Sequence, residues 1–93
     1  MNIFAGLTKY ANSYSVVESR PFNTEELASI SSAKVVTSQY GLSCCFFMKS
    51  GCQQYIPLSR DTVANPGDTV DFHTVKVLTL TKDGEDPILR LEF

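Results

Sequence analysis

The densest apolar stretch of the chain lies near its middle and has the pattern of two β-strands joined by a short turn at Ser50-Gly51. The first strand is predicted over residues 42–48 and the second over residues 53–58. Both carry apolar side chains at odd and even positions, and because side chains alternate along a strand, both faces of this hairpin are apolar. One face suffices for a core. We expect the chain's own helices, a partner chain or a flat ligand to cover the other.

The loop of this hairpin determines which side chains share a face. A two-residue loop at Ser50-Gly51 and a four-residue loop over residues 49–52 give the same register, in which Phe46 lies opposite Tyr55. Ile56 and Leu58 then mark the other face, which also carries Cys45 and Phe47, as the core. We therefore expect Phe46 and Tyr55 to form an aromatic pair on the non-core face, where burial of each ring would contribute roughly 1.5–3 kcal/mol.

Two helices are predicted in the first third of the chain. Apolar residues at alternating steps of three and four predict one over about residues 2–11, and a short strand over residues 14–19 follows it. Asn23 and Glu26 are spaced as a capping box, in which each side chain accepts a hydrogen bond from the other residue's backbone N–H. This predicts a short helix over about residues 24–31.

The remaining pattern is that of strands. A strand over residues 34–38 and a turn at Tyr40-Gly41 precede the central hairpin, so that three antiparallel strands form a meander. After an irregular stretch with a turn signal at Asn65-Pro66-Gly67-Asp68, residues 74–82 and 88–93 alternate as a second hairpin.

The register of the second hairpin again depends on its loop. A loop over residues 83–86 aligns Leu80 with Leu89 and Leu78 with Leu91. This apolar matching is better than the matching that a two-residue turn gives, so we expect the longer loop.

The length of the chain and the order of its predicted elements limit the possible folds. The 93 residues are enough for a single domain, residues 1–93, with one core of modest size. We expect the α+β class, rich in β-structure: a small antiparallel sheet, or a partly open barrel similar in architecture to the oligonucleotide-binding type, with one or two short helices. A split sheet packed on the first helix is the alternative.

The composition indicates the cellular compartment of the protein and limits the disulfides and metal sites that it can form. The three cysteines are odd in number, and Cys44 and Cys45 are adjacent on opposite faces of one strand, so we expect free thiols in a reducing cytoplasm and no disulfides. No targeting or membrane-spanning segment is evident, which predicts a soluble protein without membrane contact. The spacing of the three cysteines, together with the lone His73, does not predict a metal site.

Catalysis is not expected. Asp71 and His73 would share a strand face as an acid–histidine pair, but no recognised spacing supplies a nucleophile beside them. The chain has no phosphate-binding glycine loop and no dinucleotide fingerprint, so no cofactor is predicted. We therefore expect a binding protein and not an enzyme.

Single-stranded nucleic acid is the ligand that the aromatic and basic residues favour, because such binding needs stacking rings beside cations. The predicted nucleic-acid-binding residues are Lys34, Tyr40, Phe46, Lys49, Tyr55 and Arg60. The net charge of −2 gives no bulk attraction to phosphates, so these cations must act locally. The alternative is a protein-interaction module or homo-oligomeric adaptor that uses the same apolar face.

Overall fold

The computed structural model describes residues 14–39 and 41–93. The predicted helix over residues 2–11 and the predicted turn residue Tyr40 lie outside them. The elements are β1 (Ser15–Pro21), α1 (Thr24–Ser29), β2 (Ile30–Ser38), β3 (Gly41–Met48), β4 (Gln53–Pro57), β5 (Lys76–Thr81) and β6 (Ile88–Glu92). The described part of the chain is thus rich in β-structure, as predicted, with one short helix.

The capping box is confirmed and sets the start of α1. The Asn23 side chain accepts from the Glu26 backbone N–H at 2.8 Å, and the Glu26 carboxylate accepts from the Asn23 N–H at 2.9 Å. The helix ends at Ser29, two residues before the predicted end, because Ile30 is extended and begins β2. Ile30 is buried in the core and pairs with Met48, so tertiary packing outweighs the local helical pattern there.

Six strands form two antiparallel sheets of three strands each, in the orders β1-β5-β6 and β2-β3-β4. The predicted meander and the predicted second hairpin are both present. The sheets meet at a parallel bridge between Leu58 and Leu91, beside which the Ser59 N–H donates to the Leu91 carbonyl at 2.7 Å. Within the described residues the strands do not close into a barrel.

The stretch predicted to be irregular contains a turn that leads the chain back along β2. The turn is confirmed, since the Asp68 N–H donates to the Asn65 carbonyl at 3.1 Å. The chain then pairs with β2: the Val35 N–H donates to the Asp68 carbonyl at 2.8 Å, and the Val70 N–H donates to the Ala33 carbonyl at 2.9 Å. β2 therefore has hydrogen-bonded neighbours on both sides.

The register of the central hairpin differs from the prediction by one residue. Cys45 lies opposite Tyr55, and Phe46 lies opposite Gln54, so the expected Phe46–Tyr55 pair is wrong. The loop has three residues, not two or four. A one-residue shift moves a whole strand's side chains to the other face, which is why the error affects every pair in the hairpin.

The loop itself explains the shift. The Gly51 N–H donates to the Met48 carbonyl at 2.9 Å, and the Met48 N–H donates to the Cys52 carbonyl at 2.9 Å. Gly51 has a φ of 93°, a left-handed conformation that glycine adopts without a steric penalty. A tight turn followed by a left-handed glycine is the usual three-residue hairpin connection.

The core lies between the two sheets. In the β2-β3-β4 sheet, Cys44 and Phe46 face it together with Ile56 and Leu58, whereas the prediction placed Cys45 and Phe47 with Ile56 and Leu58. The ring of Phe22 meets Phe46 edge-on, with centroids 5.4 Å apart. The buried core residues are Ile30, Ala33, Val35, Cys44, Phe46, Leu58, Val70, Val75, Val77 and Leu91.

The second hairpin is also shifted by one residue. Leu80 pairs with Ile88 and Leu78 pairs with Arg90, so the predicted alignment of Leu80 with Leu89 is wrong. The observed register places Leu91 opposite Val77, where both are buried in the core. Core burial of this pair outweighs the leucine matching on which the prediction rested.

Candidate nucleic-acid interface

The β2-β3-β4 sheet has a second face, opposite the core, which we call the outer face. Its members follow from the strand registers, which place three residues from each strand side by side. They are Ser32, Lys34, Val36, Ser43, Cys45, Phe47, Gln53, Tyr55 and Pro57. Among the described residues, the outer face therefore holds two aromatic rings and one cation, and it has no carboxylate.

The middle row of the outer face runs from Lys34 through Cys45 to Tyr55, one residue from each strand. Cys45 is buried beneath its neighbours, whereas 58% of Tyr55 is exposed. The Lys34 ammonium lies 5.6 Å from the centroid of the Phe47 ring, a cation–π distance. An exposed tyrosine, a half-buried phenylalanine and a lysine thus lie next to one another.

Tyr55 is held in place by its neighbours and stays neutral. Its hydroxyl donates to the Gln53 side-chain oxygen at 2.9 Å. The Cys45 thiol raises the pKa of Tyr55, first through a hydrogen bond and then through charge repulsion between the ionised groups. The ring at neutral pH is therefore an uncharged, amphipathic surface that a planar ligand can contact.

The six predicted site residues do not come together as expected. Lys34 and Tyr55 lie on the outer face. Phe46 is 2% exposed in the core, so its ring offers no exposed surface for a base to stack on, and Phe47 takes the place that was predicted for it. The signal that could have identified Phe47 is Gly51 as the last residue of a three-residue loop.

The remaining predicted residues lie elsewhere. Lys49 is exposed in the loop of the central hairpin, beyond the end of the outer face. Arg60 lines a groove where the two sheets meet, and Arg90, which the sequence did not single out, lines the same groove. Tyr40 lies outside the described residues.

The candidate catalytic pair is formed but exposed. The His73 ring nitrogen Nδ1 lies 3.3 Å from the Asp71 carboxylate, and both side chains are about two-thirds exposed, at 64% and 65%. The ring stacks on Phe72, with centroids 4.7 Å apart. The electrostatic interactions of a catalytic pair are strengthened when burial excludes water, and this pair is not buried.

The cysteines and the acidic residues form no assembled site in the described part of the chain. All three cysteines are free, with Cys44 and Cys45 buried and Cys52 exposed. Burial raises the pKa of Cys44 to about 12, so its thiol stays protonated and unreactive. No group of three or more potential metal ligands is brought together among residues 14–39 and 41–93.

Comparison with known proteins does not assign the chain to a family. No protein-family profile matches it, and neither a curated protein nor a solved structure matches it. Among the described residues there is no helix with the length and apolar character needed to cross a membrane.

Proposed function

We propose that the protein is a small non-catalytic binding module that holds single-stranded nucleic acid on its outer face. The observation that supports this most directly is the juxtaposition of Phe47, Tyr55 and Lys34 on a face whose described residues include no carboxylate. Proteins that bind single strands combine rings, on which bases stack, with cations that follow the backbone. The outer face has both in adjacent positions.

The two rings offer separate platforms. Phe47 and Tyr55 are diagonal neighbours on β3 and β4, and such positions lie about 7–8 Å apart in a regular sheet. Each ring can therefore take its own base. Because every base has a flat face, stacking on these rings is tolerant of sequence.

Lys34 does not obstruct this arrangement. Its ammonium lies over the Phe47 ring in the free protein, and an exposed cation–π contact contributes about 0.5–1 kcal/mol. A stacked base contributes about 1–3 kcal/mol, so base stacking outweighs the contact that it displaces. The released ammonium then lies beside the bound strand, where it can pair with a phosphate.

The test is a titration of fluorescently labelled single-stranded oligonucleotides, followed by anisotropy at low and moderate salt. Tyr55→Ala should weaken binding by roughly five- to 150-fold, the equivalent of one lost stacking contact, whereas Tyr55→Phe should retain most of it. Phe93→Ala is the matched control, since Phe93 is also an exposed ring but lies outside the outer face. No binding by the native protein at low salt would refute the proposal.

A second candidate is a protein-interaction role, including homo-oligomers. Within the described residues β1 pairs with β5 alone, and it exposes Val16 and Val17 by 54% and 61%. An edge strand with exposed apolar side chains is a template for another strand. Light scattering would separate the two roles. A stable dimer that Val17→Lys dissociates would favour the protein-interaction role. Such a dimer would not by itself explain affinity for an oligonucleotide.

A further inference from the structure

We infer that Gln53 gives the outer face a preference for keto bases, which are thymine, uracil and guanine, and this inference rests on the proposed function. Gln53 belongs to β4 and is an exposed member of the outer face. It lies directly opposite Phe47 and two residues before Tyr55 on the same strand. Gln53 is therefore adjacent to both of the proposed stacking rings.

The spacing of a β-sheet brings Gln53 within reach of a stacked base. Residues directly opposite each other in an antiparallel pair have Cβ atoms about 4.5–5.5 Å apart, and this is the relation of Gln53 to Phe47. A base that stacks on the Phe47 ring carries exocyclic groups that extend beyond that ring. These groups form the polar edge of the base, and the Gln53 carboxamide lies beside it.

The Tyr55 hydroxyl determines which way the Gln53 carboxamide points. It donates to Gln53 Oε1 at 2.9 Å. The hydrogen bond with the Cys45 thiol raises the pKa of Tyr55, so the hydroxyl keeps its proton at neutral pH. The amide oxygen is thus turned toward Tyr55, and the Nε2 group with its two N–H donors is turned away from it.

The two N–H donors of Gln53 are available to a ligand. Within the described part of the chain, the side chain of Gln53 has no hydrogen bond other than the one from Tyr55. The residue is exposed, so its N–H groups face water in the free protein. A base that displaces this water must supply an acceptor in its place, because an unpaired donor costs free energy when it is covered.

Bases differ in what they present to such a donor. Thymine and guanine carry a keto oxygen, which accepts, where cytosine and adenine carry an amino group, which donates. Glutamine that turns freely pairs with adenine through its oxygen and its N–H group together. Because the Gln53 oxygen is directed to Tyr55, the N–H donors are the groups presented to the base. A keto oxygen pairs with them, whereas an amino group does not.

The neighbouring polar groups favour the same class of base. Lys34, whose ammonium lies 5.6 Å from the centroid of the Phe47 ring, has three donors and no acceptor. Ser32 lies opposite Phe47 on β2, and its hydroxyl does not discriminate because it can donate or accept. The described residues of the outer face include no carboxylate that could accept from an amino group.

The experiment compares the affinities of oligo-dT and oligo-dC of equal length by fluorescence anisotropy at neutral pH. These bases are both single-ring pyrimidines, so the comparison isolates the keto and amino groups. In the native protein the ratio of the two affinities should favour oligo-dT. Gln53→Ala should lower that ratio by roughly two- to ten-fold, the effect of one net hydrogen bond. Gln53→Glu, which replaces the donors by an acceptor, should shift the ratio toward oligo-dC.

Two further variants test how Gln53 acts. Tyr55→Phe keeps the ring but removes the hydroxyl that orients the carboxamide, so it should lower the ratio while most of the affinity is retained. Gln54→Ala is the matched control, since Gln54 is an exposed glutamine that lies opposite Phe46 on the other face of the sheet. Its ratio should equal that of the native protein. Circular dichroism of each variant shows that it is folded.

The outcomes separate this inference from the proposed function. If the native protein binds both oligonucleotides and Gln53→Ala keeps the native ratio, the inference is wrong and the proposed function stands. An unchanged ratio in Tyr55→Phe would refute the orienting role of the hydroxyl. If the native protein binds neither oligonucleotide at low salt, the proposed function fails and the inference fails with it.

Discussion

Tyr55 lies directly opposite Cys45 in the antiparallel pair of β3 and β4, and Phe46, the next residue along β3, points to the other side of the sheet. This relationship separates an aromatic residue that stabilises the fold from one that is open to a ligand. Phe46 is 2% exposed and packs edge-on against Phe22, while Tyr55 is mostly exposed.

Phe46→Ala should destabilise the protein much more than Tyr55→Ala. Removal of a fully buried ring leaves a cavity and costs about 3–5 kcal/mol, whereas exposed substitutions usually change stability by about 0.5 kcal/mol or less. Urea unfolding followed by circular dichroism measures both. Equal losses in the two variants would contradict the register of this hairpin.

Gly51→Ala should destabilise the central hairpin through backbone strain alone. Gly51 has a φ of 93°, and no atom lies within 4 Å of the position where a Cβ would be added. A left-handed conformation costs an L-residue roughly 1–2 kcal/mol, and we expect a loss of that size in the free energy of unfolding. Gly51→Asn should cost less, because asparagine tolerates this conformation, and Ser50→Ala is the neighbouring control. An alanine variant as stable as the native protein would show that the loop has another conformation.

Glu26 should contribute a pH-dependent part of the stability. The hydrogen bond from Arg20, at 2.7 Å, and then the N–H of Asn23 hold the pKa of Glu26 below its ordinary value of 4.5. Because the folded-state pKa is the lower one, the contribution is present above about pH 4.5 and is lost as the pH falls through the folded value.

The measurement is the free energy of unfolding of native protein and Glu26→Gln between acid and neutral pH. The difference between them should shrink on acidification. Glu25→Gln is the control, since Glu25 is exposed in the same helical turn. A difference that is constant across this pH range would rule out the assigned role of the Arg20–Glu26 pair.

The three cysteines should differ in reactivity. Cys52 is exposed, whereas Cys44 and Cys45 are buried, and burial raises the pKa of Cys44 to about 12. A thiol reagent should therefore modify one cysteine in the folded protein and all three after denaturation. Cys52→Ser should abolish the reaction of the folded protein, and rapid modification of a second thiol would contradict the burial of the Cys44–Cys45 pair.

The candidate site could be predicted only in part from the sequence. Lys34 and Tyr55 share the outer face, but Phe47 replaces Phe46 and Arg90 was not singled out. Arg90 is separated from Arg60 by 30 positions, and the pairing of Leu58 and Ser59 with Leu91 brings them to one groove. A long-range pairing of this kind leaves no local signal.

Local chemistry by itself determined where most elements lie in the described part of the chain. The Asn23 and Glu26 capping box starts α1, and the turn at Asn65-Pro66-Gly67-Asp68 forms as its residues indicate, because these interactions join positions three residues apart. Alternating and clustered apolar residues likewise located the strands.

Tertiary structure decided which faces of the two hairpins are buried. In β3 the apolar run from Cys44 to Met48 offers both faces to a core, so the hydrophobic pattern cannot distinguish two registers one residue apart. The left-handed Gly51 and the packing of Phe46 against Phe22 select one of them. In the second hairpin, burial of Leu91 beside Val77 does the same. The alternation of apolar residues fits both candidate registers of each hairpin, so packing between distant segments is needed to decide which residues are buried.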